Sequence, residues 1–164
     1  PPTGIALLPL VDPPAVAAAH AAGTGRPITL EVGAKFDQLF SRPVRIEGKV
    51  AAISRGVAVD LLDRGICDMG HTAMIEIGNL RLVLLDHRSF AINHPVLYTH
   101  LGIDLNEVRM VVVKTASNFQ FFQRWRTALV RVDSPGTTQS DLTTLPWRRL
   151  PRPMYPLDPL DQLP

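Results

Sequence analysis

The sequence predicts a mixed α/β domain of the α+β kind, a mixed sheet with strand-helix-strand units and a β-hairpin, followed by an extended Pro-rich C-terminal arm. Three observations carry this prediction. An alanine-rich segment with helix start and stop signals lies between two strand-like apolar runs, a Gly-Asn pair separates two further apolar runs, and prolines crowd the end of the chain. The predicted domain occupies 1–133 and the arm 134–164.

The first strand is the apolar run 5–11. Asp12 then caps a helix over 15–22 through its carboxylate, Pro13 suits the first helical position where no amide donor is needed, and Gly23 and Gly25 stop it. A second strand covers 27–32. The run 43–53 alternates apolar and charged residues with period two, so it reads as a strand with one wet face, and Val44, Ile46, Val50 and Ala52 are expected to face inward. Residues 54–70 hold Ser, Gly, Arg and three Asp without a sustained period and read as a long loop.

Two apolar strands, 72–77 and 80–86, flank Gly78-Asn79, both of which tolerate the positive φ of a tight hairpin turn. A short helix is expected over 95–101, ended by Gly102, and the β-branched run 109–113 reads as a fully buried strand that ends at Lys114. Ser117 and Gln120 have capping-box spacing ahead of an amphipathic helix bearing Phe119, Phe122, Trp125 and Arg126. A last strand over 128–132 stops at Asp133-Ser134-Pro135-Gly136. Beyond it, prolines at 135, 146, 151, 153, 156, 159 and 164 favour extended chain over regular structure. Trp147, Met154, Tyr155, Leu157 and Leu160 on that preordered arm suit docking on a second domain or protomer, because little entropy remains to be lost.

With 46% hydrophobic and 20% charged residues and a net charge of +2, the 164-residue chain is an ordinary globular domain rather than a disordered one. Its single cysteine, Cys67, excludes an internal disulfide and multi-cysteine zinc patterns, and fits a reducing, cytoplasmic setting. No stretch approaches the ~20 apolar residues of a membrane span. Arg124, Arg126, Arg131, Arg148, Arg149 and Arg152 give a basic C-terminal region, but no nucleic-acid motif accompanies them, so no nucleic-acid partner is expected. The start, Pro-Pro-Thr-Gly without an initiator Met, suggests a piece of a longer polypeptide or a processed product.

Among candidate site residues, Lys114 stands at a strand end ahead of a helix start whose amides attract anions. It is open to two readings, a holder of a substrate carboxylate or a lysine that reaches solvent while Ser117 caps the helix. Arg88 in Asp86-His87-Arg88 is a bidentate carboxylate binder or a partner of Asp86. The five histidines, His20, His71, His87, His94 and His100, include no His-Glu-x-x-His pair; His87 and His94 with Asp86 are the nearest approach to a metal set, and no metal ligand is expected in this chain. Asp60, Asp63 and Asp68 lack the spacing of a calcium loop, and Cys67 lacks an adjacent base.

Several motifs occur in one order: Asp12-Pro-Pro-Ala-Val-Ala-Ala-Ala-His-Ala-Ala-Gly23, Gly102-Ile-Asp104, Val111-Val-Val-Lys114 before Asn118-Phe119, Val132-Asp-Ser-Pro-Gly136, Arg148-Arg149 with Arg152-Pro153, and Pro156-Leu-Asp158. Together they resemble the C-terminal domain of the microcystinase-C-type zinc metallopeptidases (the microcystin LR degradation protein family), from about residue 8 to 158. The resemblance implies a two-domain cytoplasmic hydrolase of amide bonds in linearised peptides. Its N-terminal domain supplies the zinc ligands, and the C-terminal domain closes over the substrate cleft. It implies substrate contacts from Lys114, Ser117, Asn118 and Arg88, no catalytic group and no cofactor in the chain itself, and an N-terminal metal-binding domain as partner on the same polypeptide, with a homo-oligomer also open. The family's Asp-Asn-Pro-Gly-Gly-Gly segment would precede residue 1. Where the family has Lys-Ser, two residues, then His-Phe-Arg, this chain has Lys114-Thr115, two residues, then Asn118-Phe119-Gln120. Asn118 cannot take a proton, so it can replace a His that donates a hydrogen bond but not one that acts as a base. The alternative reading is a non-catalytic binding or assembly module that retains the fold.

Overall fold

The computed structural model describes residues 4–56, 58–61, 65–115, 118–134, 141–159 and 161, with 58–61 described as backbone. The chain forms two compact units, 1–127 and 128–164. The first is a mixed α+β unit around a six-stranded sheet.

Its strands are β1 (Ile5–Val11), β2 (Pro27–Val32), β3 (Val44–Ser54), β4 (Ala58–Leu61), β5 (Gly65–Asp68), β6 (Thr72–Ile77), β7 (Leu80–Leu85) and β8 (Val108–Val111), with helices α1 (Pro13–Ala22) and α2 (Val96–Thr99). The sheet order is β2-β3-β6-β7-β1-β8. β1 runs parallel to β7 and β8, while β2, β3, β6 and β7 form an antiparallel meander. Both faces of the sheet are covered. Ala15, Val16 and Ala19 of α1 pack with Val50, Ile75, Leu82 and Leu84 on one face. On the other, Leu97 and Tyr98 of α2, with Leu105 and Phe122, pack with Leu7, Val83 and Leu85. β7 therefore alternates its side chains between two cores, which is why its sequence is an almost unbroken apolar run.

The expected helix start is present: Asp12 Oδ1 accepts from Ala15 N–H at 3.2 Å, and proline occupies the first turn. Gly78 turns the β6–β7 hairpin at φ 58°. Other elements differ from expectation. Val44 is 58% exposed rather than inward, because it opens β3 opposite Val32, where only the edge strand β2 flanks it. A register shift between Val50 and Ala52 sends Val50 to the α1 core and Ala52 to the opposite one.

The expected loop 54–70 contains a two-stranded hairpin, β4–β5, too short for its alternation to register. β8 is an edge strand with Arg109 and Met110 exposed, not a buried one. The expected helix after Ser117 is a 3-10 helix, Asn118–Phe122, continued by hydrogen bonds to the Phe122 carbonyl from Trp125 and Arg126. The expected strand over 128–132 carries no regular structure.

Within the second unit, a 3-10 helix at Leu142–Thr144 is capped by Asp141, whose carboxylate takes both the N–H and the hydroxyl of Thr143. Asp158 receives the Arg152 guanidinium and the Met154 N–H, contacts that hold its carboxyl below the usual range. Among the described residues no helix is long and apolar enough to cross a membrane.

Candidate functional site at the C-terminal end of the parallel strands

The chain leaves β1 through α1 on one face of the sheet, and leaves its neighbour β7 through α2 on the other. Adjacent parallel strands whose connections depart on opposite faces open a crevice at their C-terminal ends, a common place for ligands. Asp12 ends β1 there and donates its N–H to Leu85 O at 2.9 Å, so the ends of β1 and β7 are fastened together. The Asp12 carboxylate is fully buried. Besides capping α1 it accepts from Gly33 N–H through Oδ2 at 2.8 Å, with Lys35 Nζ at 3.6 Å, and so holds the chain leaving β2 against the same edge.

Past β7, Asp86 has both carboxylate oxygens in use. Oδ2 accepts from His71 N–H at 3.0 Å, Oδ1 lies 2.6 Å from His87 Nδ1, and the ring of His71 stands 3.6 Å away on the other side. Gly70 is obligatory beside them. Its φ is +60°, and a Cβ there would fall about 2.2 Å from Asp86 Oδ1 and from the His87 ring. Thr72, buried at the start of β6, accepts through its carbonyl from His20 Nε2 at 3.0 Å. His100 Nδ1 faces the Val96 carbonyl, which can only accept, so this nitrogen carries the proton and Nε2 takes the Thr72 hydroxyl.

Ser89 follows Arg88 and ties this turn to β5. Its hydroxyl donates to Asp68 O at 2.7 Å and lies 3.2 Å from Cys67 Sγ. The 3-10 helix Phe90–Asn93 comes next, and Phe121 packs edge-on against Phe90 with centroids 5.9 Å apart and against the His94 ring at 4.9 Å. That packing draws the segment bearing Asn118 to the segment bearing Arg88.

Arg88 is exposed, and its guanidinium lies over the Phe36 ring, 5.3 Å from the centroid. It is not the partner of Asp86, whose oxygens are engaged by His71 and His87. Lys114 is exposed three residues beyond β8, at the same end of the sheet. Asn118 is half-buried, and its N–H donates to Thr115 Oγ1 at 3.2 Å, a capping contact from Thr115. Ser117 lies outside the described residues, as does Asp63; Asp60 is described only as backbone.

His94 is a structural residue. Its Nδ1 accepts the Val96 N–H at 3.2 Å, and burial lowers its pKa. Asp68 closes a turn by accepting from Gly70 N–H at 2.8 Å. Among the described residues no group of three or more His, Cys, Asp or Glu side chains is placed to hold a metal ion. The donor set explains this at Asp86, whose oxygens already serve His71 and His87.

The sequence matches the family model described as MlrC C-terminus over residues 2–149. The chain belongs to the MlrC C-terminal domain family. This MlrC C-terminal domain shares its fold with a solved protein, the "putative metallopeptidase" from Mesorhizobium sp. BNC1, at a TM-score of 0.77 and 23% identity. The alignment covers 97% of this chain and 32% of the other, so the chain spans about a third of that protein's length. No curated protein matches the sequence.

Two features of the MlrC domain's edge escaped the sequence reading, the second bond of Asp12 and the contact of Phe36 with Arg88. Gly33 immediately after a strand was a visible sign of a tight approach, but its partner stands 21 residues away. Nothing local marks Phe36, 52 residues before Arg88.

Proposed function

We propose that this chain is the C-terminal, substrate-closing domain of a zinc-dependent, peptidase-like hydrolase that cleaves amide bonds of linearised peptides in the cytoplasm. The family match over residues 2–149 carries the reading. The fold shared with a protein three times as long supports it, because a second domain is then available to carry the metal. Among the described residues no three or more donor side chains are placed to hold a zinc ion, so its ligands are assigned to an N-terminal domain of the same polypeptide.

What this chain supplies is binding and orientation. Arg88 presents a planar fork to a carboxylate, and Lys114 offers a mobile point charge at the same end of the sheet. Asn118, with Ser117 before it, hydrogen-bonds the peptide; a carboxamide does not ionise near neutral pH and cannot serve as an acid or base, so its role is to hold substrate. Fixing a peptide across the cleft converts binding into orientation, the contribution expected of a closing domain.

Metal analysis of the 164-residue chain and of its whole natural polypeptide, each dialysed against zinc-free buffer and assayed on linear peptides, tests this. The chain alone is expected to retain no zinc and cleave nothing, while the whole polypeptide retains zinc and cleaves. Zinc held by the chain alone would contradict the assignment. A whole polypeptide that binds peptides and never cleaves them would make this a non-catalytic binding or assembly module, a role that Asn118 in place of the family's His also permits.

A further inference from the structure

The connection from β2 to β3, residues 33–43, has a backbone fixed by polar contacts and apolar side chains turned to water. Gly33 is held by Asp12, Lys35 Nζ donates to the carbonyls of Glu31 at 3.0 Å and Gly33 at 3.4 Å, and Arg42 Nη1 donates to Gln38 O at 2.7 Å. Asp37 Oδ1 accepts from the N–H groups of Leu39 and Phe40 at 2.8 and 3.2 Å. Yet Phe36, Leu39 and Phe40 are 59%, 79% and 47% exposed. Three exposed apolar side chains on one ordered loop mark a surface for contact.

The Arg88 guanidinium lies over the ring of Phe36 on this loop. Among the described residues it has no carboxylate partner, since Asp86 is committed to His71 and His87. The cation–π contact with Phe36 uses the charge of the guanidinium and no carboxylate, so its planar fork of N–H donors can take both oxygens of a carboxylate. The ring restricts the side chain as well, so less rotamer freedom is lost when an anion arrives.

We infer that Phe36 and Arg88 form a subsite for the free C-terminal carboxylate of a peptide whose last residue carries an apolar or aromatic side chain. Arg88 takes the carboxylate, and Phe36, with Leu39 and Phe40 on the same loop, takes the side chain. Buried Asp12 is a positioning residue, since it fastens the start of this loop to the sheet edge from which Arg88 projects. The ligand's being a peptide rests on the function proposed above.

The test is a heteronuclear NMR titration of the 164-residue chain with N-acetylphenylalanine, N-acetylphenylalaninamide and N-acetylglycine. N-acetylphenylalanine is expected to shift resonances of residues 33–42 and 86–89, with the amide and the glycine derivative binding about tenfold more weakly. Arg88→Ala and Phe36→Ala, both at exposed positions, should each weaken it by about tenfold, and Arg88→Lys should restore only part of the loss. Equal binding of acid and amide, or binding unaffected by Arg88→Ala, would overturn the subsite. So would shifts that follow protein concentration instead of ligand, which would assign the apolar loop to a second copy of the chain. In the whole polypeptide, zinc-dependent cleavage that is indifferent to amidation of the peptide's C-terminus removes the subsite and leaves the hydrolase standing. Carboxylate-selective binding without any cleavage does the reverse.

Discussion

Asp12 shows how one residue can serve two elements. Its Oδ1 caps α1 and its Oδ2 holds Gly33, and both donors are backbone N–H groups. At an ordinary helix start Asn caps about as well as Asp. Here Asn has one acceptor oxygen for two donors, and its NH₂ would face one of them in a fully buried place. Asp12→Asn is therefore expected to cost about 1–3 kcal/mol, the range for a buried donor left unsatisfied. Urea unfolding of the two proteins measures it, and equal midpoints would mean that the second bond contributes nothing. The cap was legible in the sequence because its partner lies three residues away, whereas the bond to Gly33 was not, since only the folded sheet brings residue 33 back to residue 12. The close approach of Gly70 to Asp86 was hidden for the same reason: the need for glycine at 70 is set by side chains 16 and 17 positions later.

At the scale of elements, the turn joining the 3-10 helix Phe90–Asn93 to α2 carries a pH dependence. His94 Nδ1 accepts the Val96 N–H, and a protonated ring would set donor against donor. Burial, by desolvating the charged ring, lowers the His94 pKa from its ordinary 6.5. The unfolded chain then binds the extra proton more readily, so this contribution to stability is complete above pH 6.5 and is lost as pH falls through the lower folded value. His94→Asn keeps an acceptor two residues before the same N–H, as in an Asx turn, and does not titrate. Denaturation at pH 7.5 and pH 5 should show the stability difference between wild type and His94→Asn moving in favour of the variant at the lower pH. A difference constant with pH would contradict the role given to His94.

Elements with strong local signals were read correctly: β1, the capped α1, β2 and the β6–β7 hairpin. The misread ones depend on neighbours. The β-branched composition of 109–113 indicates a strand and cannot say that β8 lies at the edge. The alternation of β3 is interrupted by a bulge that the partner strand β6 defines, and β4 and β5 are four residues each, shorter than the window in which a period can be recognised.

For the whole molecule, the family was readable because several weak motifs occur in one order along most of the chain; the family model matches residues 2–149, a range that stops short of Arg152-Pro153 and Pro156-Leu-Asp158. The candidate site was only partly readable. Arg88 and the turn after β8 do meet the same sheet edge, through the packing of Phe90 on Phe121, but the sequence gives no sign that Phe36 joins Arg88. The proposed role of this edge is to bind substrate and leave metal chemistry to another domain. Its most direct test is steady-state cleavage of a linear peptide by the whole polypeptide carrying Lys114→Ala, with bound zinc measured on the same samples. A KM raised about tenfold at unchanged zinc content is expected, the signature of a lost substrate contact. An unchanged KM, or a loss of zinc in parallel with activity, would contradict it.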